Sequence, residues 1–333
     1  MPANLSPEYK TAEAAFRRTR DPREQLDLLR EMLRTIPKHK GTEHLQADIK
    51  TRIKELTDAL AGPKKTGVRG GPPTTIPPEG AAQVALIGPP NTGKSTLHDH
   101  LTGSHAQTGP YPFTTQYPQP GMLPYEDVHI QLVDLPPIST EHPIPWIGNA
   151  VQSADAALLV VDLCRPGCLE QVMNLHEILA ERKVMLGSDW SGKDEDDDPF
   201  TRTLPAVLVV TKADEIDDVD AEVEVFRELT GYDYPVVAVS AETGSGLDDL
   251  GAWLFDHLGI VRVYTKVPGK PPDMGRPFTV RRGDTVIDVA VLVHRDIAAT
   301  FQYARVWGEH TFDGQQVGRD HQLEDGDVLE IHA

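Results

Sequence analysis

The segment GPPNTGKS, residues 88–95, sets two glycines, a lysine and a serine at the spacing of a phosphate-binding loop. Gly88 and Gly93 let backbone N–H groups curl around phosphate oxygens, with Asn91 and Thr92 inside the turn. A helix starting there adds the positive end of its dipole. Lys94 can neutralise β- and γ-phosphates, the Ser95 hydroxyl can ligate Mg²⁺, and Thr96 follows on the first helical turn. At ordinary glycine usage this pattern arises by chance in about one chain of this length in a hundred. Here it also sits between an apolar run, QVALI, and the helical TLHDHL, where a phosphate loop belongs.

Four further pieces follow in order. YPFTT, residues 111–115, offers threonine hydroxyls that could complete a metal shell. VDLPP puts Asp134 at the end of an apolar run, where its carboxylate can hold Mg²⁺ through water. In TKAD, Asp214 can accept two hydrogen bonds from guanine N1–H and N2–H₂, which adenine does not offer, while the Lys212 stem lies along the base plane. SAE, with Ser240 and Ala241, would give a backbone N–H to guanine O6. The set predicts one pocket for GTP or GDP, and it disfavours ATP.

These residues need a scaffold. The runs VALIG, VHIQLVD, AALLVVD, AVLVVTKAD and PVVAVSA alternate with polar helical stretches over residues 81–262. Such runs mark parallel strands buried on both faces, so the fold class is α/β, a doubly wound, mostly parallel sheet. Residues 1–62 read as an N-terminal helical hairpin: Leu29, Met32, Leu33 and Ile36 form one stripe, and Leu45, Ile49, Ile53, Leu56 and Leu60 a second behind a Thr42 cap. Residues 63–80 are Pro/Gly-rich and read as a linker. Residues 263–333 read as a small α+β unit, with one helix from Thr285 to Phe301 carrying Val286, Val289, Val293 and Ile297 on one face. The acidic stretch Ser188–Pro199 reads as a solvated loop.

Composition narrows the class. No apolar stretch reaches the roughly 20 residues of a membrane span, and MPANLSPEYK carries no secretory signal, so a cytoplasmic protein without a membrane partner is expected. Cys164 and Cys168, the two cysteines, are read as reduced thiols. The net charge of −19 opposes general nucleic-acid coating, but it is uneven. Residues 1–80 hold 15 basic and 11 acidic side chains, net +4, which leaves −23 on the other 253. Contact with RNA phosphates would fall to the N-terminal segment.

The order GPPNTGKS, YPFTT, DLPP, TKAD, SAE resembles the Obg-type translation-factor GTPases, and YPFTTQYPQPG is like their first switch segment. VYTKVPGKPPD, FQYARVWGEH and QVGRDHQLEDGDVLEI resemble the TGS module, a β-grasp, of the developmentally regulated GTP-binding (DRG) proteins, whose helical segment IPKHKGTEHLQADIKTRI also resembles. The resemblance implies Mg²⁺-dependent hydrolysis of GTP, with Mg²⁺ on Ser95 and Thr115 and Asp134 nearby, and Lys94, Thr115 and Asp134 as the catalytic set. It also implies a ribosome or RNA partner and leaves room for a protein cofactor. Asn91 stands where potassium-activated GTPases hold K⁺, so K⁺ stimulation is expected.

Three departures stand out. Ile138 occupies the position where Ras-like enzymes carry a water-orienting Gln. Pro137 replaces a Gly whose N–H meets the γ-phosphate, and only Gly187–Pro205 is available where the DRG family carries a sizeable insertion. Slow turnover is expected. The alternatives are a nucleotide-dependent binding module with little hydrolysis, or a nucleotide sensor acting through the TGS module. His98 and His100, after the loop, could reach phosphate, and Tyr303 and Trp307 could stack on RNA bases; packing roles compete in each case.

Overall fold

The computed structural model describes residues 6–19, 22–37, 42–60, 74–103, 117–191 and 201–333. They fall into two compact units, one made from the residues up to 60 and one from residue 74 onward.

The first unit holds three helices rather than a two-helix hairpin: α1 (Pro7–Arg18), α2 (Pro22–Thr35) and α3 (Glu43–Leu60). Ser6 caps α1 by accepting the Tyr9 N–H, and Pro7 opens the first turn, where its missing N–H costs nothing. Tyr9, Ala12 and Phe16 recur at helical spacing and bury against Leu29, Met32, Ile36 and Ile49. Only these three apolar side chains of α1 are buried, a signal too thin to read in a polar segment. Ile36 joins the same core from just beyond the end of α2.

In the second unit a seven-stranded sheet runs β2-β3-β1-β4-β6-β5, with β7 also on β6. Its strands are β1 (Ala82–Ile87), β2 (Gln119–Tyr125), β3 (Val128–Asp134), β4 (Ala156–Val161), β5 (Val184–Gly187), β6 (Arg202–Val210) and β7 (Val236–Ala238). β1 and β4 are buried at every residue, because helices cover both faces. On one face pack α5 (Ile147–Gln152), α6 (Cys168–Glu181) and α7 (Val219–Thr230); on the other pack α4 (Lys94–Thr102) and α8 (Leu247–His257). All pairings are parallel except β2 with β3.

β2 was not expected, since QPGMLPY is not among the apolar runs. It survives as an edge strand, bonded only along β3, where Pro120 and Pro124 need not donate on their open side. β5 and the start of β6 also take up part of the segment left for an insertion, with Val184 to Gly187 paired to Arg202 to Pro205. The end of the anticipated linker is likewise held. Gly80 bridges Ile130, and Gln83 donates to the Ile76 carbonyl.

The second sheet runs β11-β10-β12-β8-β9, from β8 (Ile260–Thr265), β9 (Asp273–Arg281), β10 (Tyr303–Trp307), β11 (Gln315–Val317) and β12 (Asp327–His332). β8 therefore runs across the boundary anticipated after residue 262. The helix expected from Thr285 to Phe301 is two: α9 (Val286–Val293) and α10 (Arg295–Ala299). His294 turns extended between them, and its Nδ1 accepts the Asp296 N–H as the cap of α10. Arg262 ties this sheet to the β2–β3 turn. Its guanidinium bonds Asp325 at 2.6 Å, Asp127 at 3.1 Å and Glu126, and lies 4.9 Å from the Phe255 ring. The Tyr264 hydroxyl donates to the same Asp127.

Arg262→Ala strips three carboxylates of their shared cation in a half-buried site. Chemical denaturation should show a loss of about 2–3 kcal/mol, whereas exposed Arg305→Ala should change stability by less than about 0.5 kcal/mol.

Candidate nucleotide-binding site

β1 delivers the phosphate loop into a narrow space. A Cβ at Gly88 would collide with the carbonyl oxygen of Val160 on β4, so only glycine fits. Asn91 (φ 59°) and Gly93 (φ 83°) adopt left-handed backbone and turn the chain into α4. Thr92 is buried, its hydroxyl donating to Pro89 O at 3.2 Å. Lys94 is 5% exposed, and its Nζ donates to Pro89 O at 2.7 Å. Burial, opposed by the Asp134 carboxylate and aided by nearby Arg165, pulls the Lys94 ammonium down to about 8. Thr96 faces solvent on the first turn of α4.

β3 lies beside β1 with Leu86 opposite Asp134, and this register brings the Ser95 hydroxyl within 2.6 Å of Asp134 Oδ2. The chain stays close after Asp134: Leu135 N–H donates to Leu86 O at 3.2 Å and Ile138 N–H to Gly88 O at 3.3 Å. The Ile138 side chain is buried in the core with Leu135 and Val133. It is a packing residue. Thr115, with the rest of YPFTT, lies outside the described residues, as does the DEDDD run.

The base-reading side grows from β6. Thr211 Oγ1 donates to Thr92 O at 2.7 Å, binding that loop to the phosphate loop across the end of β4. Lys212 (φ 55°) sends its ammonium to Asp162, at 2.7 Å. Asp214 is exposed in the single turn Ala213–Glu215, ready for an external donor. Ala213 N–H reaches Val239 O at 3.1 Å, joining this turn to the SAE loop. There, buried Ser240 accepts the Thr243 N–H at its hydroxyl and the Gly244 N–H at its carbonyl, leaving Ala241 half-buried at the rim.

The structure thus brings Gly88, Asn91, Thr92, Gly93, Lys94, Ser95 and Asp134 to one rim with Lys212, Asp214, Ser240 and Ala241. Two residues of DLCRP, directly after β4, were missed. Asp162, 3% exposed, pairs with Lys212, and Arg165 donates to Pro90 O. The one available signal was position, since β4 neighbours β1 and any residue following it must meet the loops. His98 is a packing residue: its Nε2 lies 3.3 Å from Leu132 O and it fills the space a Cβ on Gly121 would need. His100 is exposed on α4. Tyr303 stacks on His332 at 4.3 Å, and Trp307 lies 4.0 Å beneath the Lys266 ammonium, both on the second sheet. Among the described residues, no group of three or more His, Cys, Asp or Glu is arranged to hold a metal ion, and both cysteines are free.

A phosphate loop, a buried carboxylate beside its serine and an exposed Asp214 on the turn after β6, followed by a β-grasp sheet, define a P-loop GTPase of the TGS-bearing kind. Residues 83–188 match the 50S ribosome-binding GTPase family, and residues 261–333 match the TGS domain. The chain belongs to the developmentally regulated GTP-binding protein family. It is 31% identical to Developmentally-regulated G-protein 1 of Arabidopsis thaliana over 90% of this chain and 88% of that protein. It is also 30% identical to a GTP-binding protein of Methanocaldococcus jannaschii over 92% of each. A crystal structure of a GTP-binding protein from Pyrococcus horikoshii is 16% identical, covers 75% of this chain and 99% of that one, and superposes with a TM-score of 0.44.

Phosphate favours protonated Lys94, whose pKa in the free protein lies near 8. GDP affinity should therefore be flat below about pH 7 and about tenfold weaker at pH 9. Lys94→Met should bind weakly with no such slope, measured by fluorescent-nucleotide titration. The free protein moves the opposite way. Its depressed lysine costs stability while ionised, and that cost is relieved as pH rises from about 8 toward the unfolded value near 10.4.

Proposed function

We propose that the protein binds GTP, hydrolyses it slowly to GDP and phosphate with Mg²⁺, and acts as a ribosome- or RNA-associated switch in the cytoplasm. The observation that carries this reading is the 2.7 Å bond from Thr211 to Thr92 O, which makes a phosphate cradle and a guanine-selective turn parts of one pocket. The residues present suit the metal: a serine hydroxyl and a carboxylate only 1% exposed meet at the phosphate end. Ser95 and Thr115 would hold Mg²⁺ with Asp134 behind them, and the ion supplies charge neutralisation at the β- and γ-phosphates. Lys94 adds a second positive charge, and the loop's N–H groups orient the oxygens. Asn91, exposed on its left-handed turn, would offer a side-chain oxygen to K⁺.

Two observations favour a second reading, a nucleotide-dependent binding module with little hydrolysis. Ile138 is locked in the core, and Pro137 has no N–H for a γ-phosphate. Turnover separates the two. With Mg²⁺ and KCl, phosphate release from GTP is expected on the order of 10⁻⁴ to 10⁻³ s⁻¹, the scale of an unassisted GTPase, with none from ATP. Equal rates in NaCl at the same ionic strength would remove Asn91 from the mechanism, and release from ATP at the same rate would overturn the guanine assignment.

The partner half rests on the family match to ribosome-binding GTPases and on the +4 charge of residues 1–80 against −23 elsewhere. No described helix is long and apolar enough to cross a membrane. Co-sedimentation with ribosomes should be stronger with a non-hydrolysable GTP analogue than with GDP. Identical sedimentation in both states would leave no nucleotide-controlled switch.

A further inference from the structure

Arg165 follows β4 in the segment that passes beside the phosphate loop. Its Nη1 donates to the carbonyl oxygen of Pro90, the third residue of GPPNTGKS. The side chain is half-buried, and no carboxylate among the described residues pairs with it. In a chain with 51 acidic and 32 basic residues, a sheltered guanidinium without a counter-anion is unusual. A guanidinium presents five N–H donors in a planar fork, so one bond to Pro90 O leaves four for another acceptor. Its charge is felt at Lys94, so the two cations stand near one another beside the phosphate loop.

The hydrolytic machinery lacks what such a group provides. The Ile138 side chain has no hydrogen bond to give and Pro137 no N–H. In the reaction the oxygen of water bonds to the γ-phosphorus while the bond from that phosphorus to the β–γ bridging oxygen breaks. The bond's electron pair leaves with GDP, and the water's protons stay with the phosphate product. Negative charge grows on the bridging and β-oxygens, and an arginine there lowers the barrier.

We propose that Arg165 is a catalytic residue of GTP hydrolysis: held on Pro90 O beside the phosphate loop, it gives its remaining N–H groups to the β- and γ-phosphates as they react, in place of an arginine from a partner. This inference rests on the hydrolysis proposed above.

The test compares wild type, Arg165→Gln and Arg165→Lys in single-turnover GTP hydrolysis, GDP affinity, GDP–aluminium fluoride binding and melting temperature. Arg165→Gln should lose roughly 10- to 100-fold in rate. It should fail to form the aluminium fluoride complex yet bind GDP within about threefold of wild type, a difference below 1 kcal/mol. Arg165→Lys, with the charge but not the fork, should fall between. A wild-type rate in Arg165→Gln, or rate and GDP affinity falling together in both variants, would overturn the role while leaving hydrolysis intact. A wild-type protein that binds GDP but never turns over GTP would instead overturn the hydrolysis reading, and this role with it.

Discussion

One hydrogen bond, from the Thr211 hydroxyl to the Thr92 carbonyl, joins segments 119 residues apart and sets the spacing between the GPPNTGKS loop and the TKAD turn. It forms because β1 and β6 both flank β4, so the loops leaving them lean over the same strand end. The fit leaves no slack. Gly88 passes so close to Val160 O that a methyl group would push the loop off the sheet, and Thr211 N–H is already engaged by Val161 O at 2.9 Å. Parallel strands place all their carboxyl ends on one edge, which is why the loops after β1, β3, β4 and β6 come together there.

Electrostatics follow from that edge. The chain carries −19 overall, yet Lys94, Arg165 and Lys212 gather where the loops converge. An acidic body does not draw phosphates from a distance, so anion recognition here depends on short-range geometry: loop N–H groups, a helix start and cations held by carbonyl oxygens. Asp162 offsets Lys212 and fixes its direction, while Asp134 takes the Ser95 hydroxyl. At the opposite end of β2 and β3, Arg262 and Tyr264 clamp the connecting turn, so the β-grasp sheet is built onto the hairpin whose second strand ends at Asp134.

Much of this was legible in the residues. Continuous apolar runs marked β1, β3, β4 and β6 because a strand covered on both faces has no polar side to show. The GPPNTGKS and TKAD segments stood out because the chemistry expected of them needs particular side chains at particular spacings. Elements that depend on neighbours were not. β2 carries two prolines and exists because β3 offers it an edge; α1 is polar and exists because α2 and α3 cover three of its side chains; α9 stops where His294 finds Asp296.

Residue types and order alone determined the class of ligand and the class of fold, since phosphate, guanine and a doubly covered sheet each demand groups that nothing else supplies. Tertiary structure decided what contact decides: that Ile138 is core, that His98 packs against Gly121, and that Asp162 and Arg165 stand beside the loops. A side chain's partner is set by which strands lie side by side, and that ordering is written in no single segment.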